Sequence, residues 1–158
     1  MWKSTYVAFY LIVFFFILDV ISKILVAHFL GVTSCISVSG FLNIVYVENS
    51  GIAFGLFGTS PIFFKRILLS SVNIIVFTIV IVMLLKGRKI SSITAVGLGL
   101  LGAGALGNLR DRLFFGYVTD FIDLHIGMHH YPAFNIADAC ITIGVLILIV
   151  HRLLKKSI

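Results

Sequence analysis

The chain alternates long apolar runs with short polar segments. Each apolar run contains about 18–24 residues, close to the ~20 helical residues that cross a hydrocarbon core ~30 Å thick. The four runs cover approximately residues 6–29, 67–85, 91–109 and 133–150. Helices satisfy their own backbone hydrogen bonds in lipid. The pattern therefore predicts an all-α integral membrane protein with four transmembrane helices in a single domain, 1–158.

The polar connections carry further signals. Between the first two runs, in the segment 31–64, residues 41–47 are β-prone and Asn49-Ser50-Gly51 is a turn signal. This segment is predicted to form a small β element with an apolar surface, although an ordinary ordered loop is an equal alternative. At the end of the segment 110–132, Pro132 suits the start of a helix. The first run is too long for the apolar part of a cleaved signal peptide, so we expect a retained helix.

Composition and charge exclude several classes of protein. Hydrophobic residues make up 60% and charged residues 11% of the chain, against about 45–50% and about 25% in soluble domains. The net charge of +6 comes largely from Lys and Arg next to the apolar runs. Such clusters are typical of membrane topology, so membrane lipid rather than nucleic acid is the expected environment.

The basic residues also predict the orientation of the helices. Lys3, the 86–89 loop and the 152–156 tail place seven Lys and Arg residues on one side, against four on the other. The positive-inside rule makes the richer side cytoplasmic. Both termini are then cytoplasmic, and the segments 31–64 and 110–132 are extracytoplasmic.

Several polar residues lie within or beside the apolar runs, where a charge costs about 2.5–3.5 kcal/mol at the bilayer centre. Asp19 and Lys23 are spaced i, i+4 and can pair. Four separate segments bring polar groups to the outer half of the bundle, which favours a site at that depth. These groups belong to Asp19, Lys23, Asn108, Arg112, Asp120, Asn135 and Asp138.

The strongest candidate for chemistry is the carboxylate pair of Asp120 and Asp138. Two carboxylates that share a site hold one proton between them, so that one can act as general base on water while the other donates. Neither Cys35 and Cys140 nor the His129-His130 pair has zinc-ligand spacing, and no metal is expected. A small proton-coupled transporter and a structural or assembly subunit remain open alternatives.

Five motifs resemble, in order, those of the bacterial lipoprotein signal peptidases, also called signal peptidase II. The motifs are Asp19-Val20-Ile21-Ser22-Lys23, Asn49-Ser50-Gly51-Ile52-Ala53-Phe54-Gly55, Gly104-Ala105-Leu106-Gly107-Asn108-Leu109-Arg110-Asp111-Arg112, Val118-Thr119-Asp120-Phe121-Ile122-Asp123 and Phe134-Asn135-Ile136-Ala137-Asp138. Their order matches the family over nearly the whole chain.

The resemblance implies an intramembrane aspartyl endopeptidase of the bacterial cytoplasmic membrane, active without a cofactor. It would cleave a prolipoprotein just before the lipobox cysteine that carries diacylglycerol. Asp120 and Asp138 match the catalytic dyad of the family. Other matching positions line or support the substrate site: Asp19, Lys23, Asn49, Gly51, Asn108, Arg112 and Asn135. The segment 31–64 would form an outer β-cradle and a surface helix, and one chain would act as a monomer.

Overall fold

Four long helices form the body of the protein. The computed structural model describes residues 3–30, 34–51, 62–86 and 90–156. The helices are α1 (Lys3–Phe29), α2 (Ile62–Leu85), α3 (Ser92–Phe114) and α4 (Ile136–Lys156). All four are long and apolar enough to cross a membrane. The predicted number of membrane helices is therefore confirmed.

Helix α3 is the central helix of the bundle. About 67% of its apolar window is buried, against 17–22% for the other three helices. Its glycines and alanines let the neighbouring backbones approach closely, which drives helix association in lipid. At the end of the bundle away from the sheet, a buried apolar cluster joins α1, α2 and α3: Ala8, Ile12, Val80, Leu84, Ala95 and Leu98.

The extramembrane connections form a four-stranded antiparallel sheet. Its strands, in spatial order, are β1 (Cys35–Ser39), β2 (Leu42–Asn49), β3 (Val118–Ile126) and β4 (His129–His130). The pairing of β2 with β3 joins the segment after α1 to the segment after α3. Phe134 pairs with Ile122, so the residues that lead into α4 are also attached to β3.

The structure extends and corrects the sequence prediction at several boundaries. The β element predicted within the segment 31–64 forms β1 and β2, whereas β3 and β4, in the segment 110–132, were not predicted. Helix α3 continues past residue 109 to Phe114 because Asp111 and Arg112 find polar partners inside the protein. Helix α4 begins at Ile136 rather than at 133 because Phe134 is held in the bridge to β3. The segment 31–64 is also expected to contain a surface helix; its residues 31–33 and 52–61 lie outside the described residues.

Close packing of α3 against α4 at Gly104 generates a prediction. A Cβ at this position would overlap the backbone carbonyl oxygen of Ala137 and lie 2.7 Å from Cγ1 of Ile141. Because backbone cannot move away cheaply, Gly104→Ala should lower the free energy of unfolding by about 2–3 kcal/mol. Thermal unfolding in detergent measures the change. Gly40→Ala is the control, since a Cβ there meets nothing within 4 Å; equal melting temperatures of the two variants would contradict the prediction.

Candidate active site

The polar interior of the bundle, at its end next to the sheet, is organised around one buried ammonium group. Nζ of Lys23 lies 2.7 Å from Oδ2 of Asp19 and 3.0 Å from Oδ2 of Asp111. The three side chains are at most 3% exposed. A buried charge is tolerated when it is paired and hydrogen-bonded, and here two carboxylates share one cation.

Both carboxylates also accept hydrogen bonds from the main chain of other elements. Oδ1 of Asp19 accepts from the backbone N–H of Ala137 at 2.9 Å. Oδ2 of Asp111 accepts from the N–H of Thr119 at 3.3 Å. The ion group therefore connects α1 and α3 to the first turn of α4 and to the start of β3.

The first turn of α4 carries one of the two predicted catalytic carboxylates. Oδ1 of Asn135 accepts from the backbone N–H of Asp138 at 2.8 Å, and the N–H of Asn135 points back to Oδ2 of Asp138 at 3.4 Å. This reciprocal arrangement is a capping box, which satisfies N–H groups that have no partner within the helix. The N-terminal end of the helix dipole also favours a negative charge at Asp138.

Asparagine amides bind both predicted catalytic carboxylates. Asp120, 1% exposed on β3, accepts from Nδ2 of Asn49 at 2.8 Å and from Nδ2 of Asn135 at 2.6 Å. Asp138 accepts from Nδ2 of Asn108 at 2.7 Å. The two carboxylates thus face three amide groups delivered by β2, α3 and the residue before α4.

Each of these amides is oriented by a group that can only donate. Lys23 donates to Oδ1 of Asn108 at 3.3 Å, so the amide nitrogen of Asn108 faces Asp138. The backbone N–H of Gly51 donates to Oδ1 of Asn49 at 2.8 Å, which turns Nδ2 of Asn49 toward Asp120. The Asp138 N–H plays the same part for Asn135. Donor-only partners therefore define which end of every amide meets the dyad.

Gly51 has a geometric reason to be glycine. Its φ angle is +85°, a conformation that other residues rarely adopt. A Cβ at this position would also overlap Cδ1 of Leu69 on α2. The tight turn at Gly51 is what brings its N–H back onto Asn49.

Burial dominates the electrostatics of Asp120. It raises the pKa of this carboxyl from its ordinary value near 3.8 to about 6, and the negative charge of Asp138 acts in the same direction. The hydrogen bonds from Asn49 and Asn135 oppose this shift in pKa because they stabilise the ionised form. The dyad therefore combines a carboxyl that keeps its proton to near-neutral pH with a second carboxylate close enough to interact with it.

A cavity opens beside Asp138. It has a volume of about 280 Å³ and is lined by Tyr131, Phe134, Asp138, Ala139, Thr142 and Ile143. Apart from the carboxylate and the Thr142 hydroxyl, its wall is mainly apolar and aromatic. An apolar ligand in this cavity would thus contact the same carboxylate that Asn108 orients.

The structure brings together the residues that the sequence singled out. Asp19, Lys23, Asn108, Asn135 and the two dyad residues form one connected network, and Gly51 joins it through Asn49. Arg112 lies at the edge, where its charge interacts with those of Asp138 and Asp120.

Sequence reasoning missed the part played by Asp111, which it named only as a member of the motif at residues 104–112. Its position, i+3 from Asn108, would have placed it on the same helical face had α3 been predicted to extend past 109. Among the described residues, no group of three or more His, Cys, Asp or Glu side chains is arranged to hold a metal ion.

Comparison with known proteins places this arrangement in a family. Residues 11–154 match the family model described as signal peptidase (SPase) II. A lipoprotein signal peptidase from Syntrophus aciditrophicus is 43% identical over 142 residues, covering 89% of this chain and 88% of the relative. One from Francisella tularensis subsp. novicida is 37% identical over 139 residues, covering 88% and 86%.

Solved structures show the same similarity in three dimensions. A bacterial membrane enzyme structure determined by the in meso method at 2.3 Å resolution superposes with a TM-score of 0.83 at 33% identity, covering 95% of this chain and 89% of that chain. A second, at 1.9 Å resolution, gives a TM-score of 0.81 at 34% identity, with 92% of each chain covered.

The raised pKa of Asp120 predicts how stability depends on pH. Because the folded state binds this proton more tightly than the unfolded chain, the stabilisation is complete below about pH 4 and is lost as pH rises through about 6. The loss amounts to about 3 kcal/mol. Asp120→Asn removes this titration, so its melting temperature in detergent should fall less between pH 4 and pH 7 than that of the wild type.

The control for this measurement is Glu48→Gln, which removes an exposed carboxylate from the neighbouring strand β2. It should retain the pH dependence of the wild type. Parallel curves for Asp120→Asn and the wild type would show that Asp120 does not titrate in this range.

Proposed function

Since the chain belongs to the signal peptidase II family, we propose that Asp120 and Asp138 are its catalytic dyad. The family defines the reaction class: the protein is an aspartyl peptidase of the bacterial inner membrane that cleaves signal peptides from prolipoproteins. The observation that carries the proposed dyad is the convergence of three asparagine amides on two carboxylates from β3 and α4.

In the proposed reaction the dyad holds one proton between its two carboxyl groups. The ionised carboxylate takes a proton from water as the water oxygen attacks the scissile carbonyl carbon, while the protonated partner donates to the carbonyl oxygen. The tetrahedral intermediate then collapses, the C–N bond breaks, and the leaving amine receives a proton from the dyad. This scheme conserves atoms and protons without any further reactant.

The surroundings of the two carboxyls support an assignment of the shared proton. Burial raises the pKa of Asp120 to about 6, whereas Asp138 lies in the first turn of α4, where the helix dipole favours a negative charge. In the proposed scheme Asp120 therefore carries the shared proton below about pH 6, where Asp138 acts as the base on water.

The substrate of this proposal is a prolipoprotein that already carries diacylglycerol on its lipobox cysteine, with cleavage just before that cysteine. The mainly apolar cavity beside Asp138 supports it, because acyl chains or the signal helix can lie there next to the catalytic carboxylate. Membrane lipid borders the same cavity. Arg112 contributes a cation for polar or ester oxygens of the substrate.

The remaining site residues have proposed supporting roles. Asn49, Asn108 and Asn135 hold the carboxylates in place through their amide nitrogens. Asp19 and Lys23 support this arrangement from α1, and Gly51 supplies the N–H that orients Asn49. Because all of these groups come from one chain, we propose that the monomer is active.

Orientation in the membrane is also part of the proposal. The basic residues place both termini in the cytoplasm, so the sheet and the dyad would lie toward the outer leaflet, where water can reach them. The alternative of a small proton-coupled transporter finds no support in the comparisons, and neither does that of an assembly subunit.

The catalytic assignment predicts the behaviour of two variants. Asp120→Asn and Asp138→Asn should each yield inserted protein that has lost at least about 10³-fold in activity, because neither can exchange a proton. A gel-shift assay measures cleavage of a diacylglyceryl-modified prolipoprotein by purified protein in detergent. Glu48→Gln is the matched control and should cleave normally.

The unlipidated prolipoprotein provides the substrate control for the same assay. Cleavage of the lipidated form alone would support the proposed specificity. Near-wild-type cleavage by either dyad variant would remove that aspartate from the catalytic assignment.

The orientation can be tested with the two cysteines of the natural sequence. Cys35 is exposed on β1, whereas Cys140 is buried in α4. A membrane-impermeant thiol reagent should therefore label the protein in intact spheroplasts, and Cys35→Ser should abolish that labelling. In the Cys35→Ser background, Lys86→Cys should react only after permeabilisation; the reverse pattern would invert the proposed topology.

A further inference from the structure

Helix α2 contains a buried amide that the proposed mechanism does not use. Asn73 is 8% exposed in a helix that otherwise consists mostly of aliphatic and aromatic residues. A polar side chain inside a membrane helix is expensive and usually has a functional or structural partner. The partner of Asn73 should therefore reveal why the amide is there.

That partner is Arg112 on α3. Oδ1 of Asn73 accepts from Nη1 of Arg112 at 2.8 Å and lies 3.2 Å from the backbone N of Leu109. Amide orientation follows from the hydrogen-bond network, and a guanidinium can only donate, so the oxygen of Asn73 faces Arg112. The contact links α2 to α3 one helical turn after Asn108, which itself binds Asp138.

We propose that Asn73 is a positioning residue that holds the Arg112 guanidinium beside the dyad, ready to bind an acceptor oxygen of the lipidated substrate. The inference rests on the proposed function, in which Arg112 contacts the substrate. Its guanidinium has five N–H donors and gives one to Asn73, which leaves the others for a carbonyl or ester oxygen. Its charge already interacts with those of Asp138 and Asp120.

A neutral acceptor suits this task better than a carboxylate. An aspartate at this position would pair with the guanidinium and reduce the positive charge offered to the substrate. The asparagine oxygen instead orients Arg112 and leaves its charge available. The N–H of Gly51 orients the side chain of Asn49 in a similar way. In both cases one hydrogen bond determines the direction in which the side chain points.

A double-mutant cycle on the intact protein tests the proposal. Asn73→Leu removes the acceptor and keeps the branched shape and the number of side-chain heavy atoms, and Asn73→Ala is the second variant if the bulkier leucine does not fit. With the diacylglyceryl-modified prolipoprotein, Asn73→Leu should lower kcat/KM about tenfold, mainly through a higher KM. In the Arg112→Ala background the same substitution should change kcat/KM by less than about twofold.

Ser70→Ala is the matched control, since Ser70 is buried on the same helix one turn away and its hydroxyl has no hydrogen-bond partner among the described residues. It should leave kcat/KM unchanged. Melting temperatures in detergent accompany every variant, so that a loss of folding is recognised.

Each remaining outcome overturns the inference in a distinguishable way. An equal loss from Asn73→Leu in both backgrounds would mean that Asn73 only packs α2 against α3. Loss in Arg112→Ala without loss in either Asn73 variant would leave the role of Arg112 intact and remove Asn73. Unchanged kcat/KM in Arg112→Ala would overturn both roles, whereas the dyad is tested separately by its own variants.

Discussion

The ammonium group of Lys23 lies between the carboxylates of Asp19 and Asp111, and the other polar contacts of the site are connected to it. Taking a charge out of water costs several kcal/mol, which only close pairing and further hydrogen bonds can offset. Two carboxylates and one amide oxygen supply that compensation here. Because the carboxylates also bind main-chain N–H groups of α4 and β3, the pairing that makes the cation tolerable also assembles the site.

Directionality is the second constraint. An asparagine amide has a donor end and an acceptor end, and its chemical effect on a carboxylate depends on which end is presented. Donor-only groups settle the choice at Asn49, Asn108 and Asn135. The two carboxylates of the dyad therefore accept hydrogen bonds from three amide nitrogens. The cavity beside Asp138 stays open.

The sheet contributes two residues of the site, Asp120 and Asn49, that lie outside the four helices. Asp120 lies on β3, outside the four spans, and its register against β2 sets Val47 opposite Asp120 and brings Asn49 within hydrogen-bond distance of it. Burial there raises the pKa of Asp120 to about 6, so the ionised form destabilises the fold. Buried acids with raised pKa values, which destabilise the fold when they ionise, are common at sites that exchange protons near neutral pH.

The sequence alone determined the membrane class, the four helices and the polar residues of the site, because hydrophobic length and the cost of charge in lipid are local properties. The pairing of Asp19 with Lys23 was readable from helical spacing. Three other features could not be read from the sequence, because each depends on partners distant in the chain. They are strand β3, the ion pair of Asp111 and the contact of Asn73 with Arg112. Tertiary structure decided those, because only packing determines which donor faces which acceptor once water is excluded.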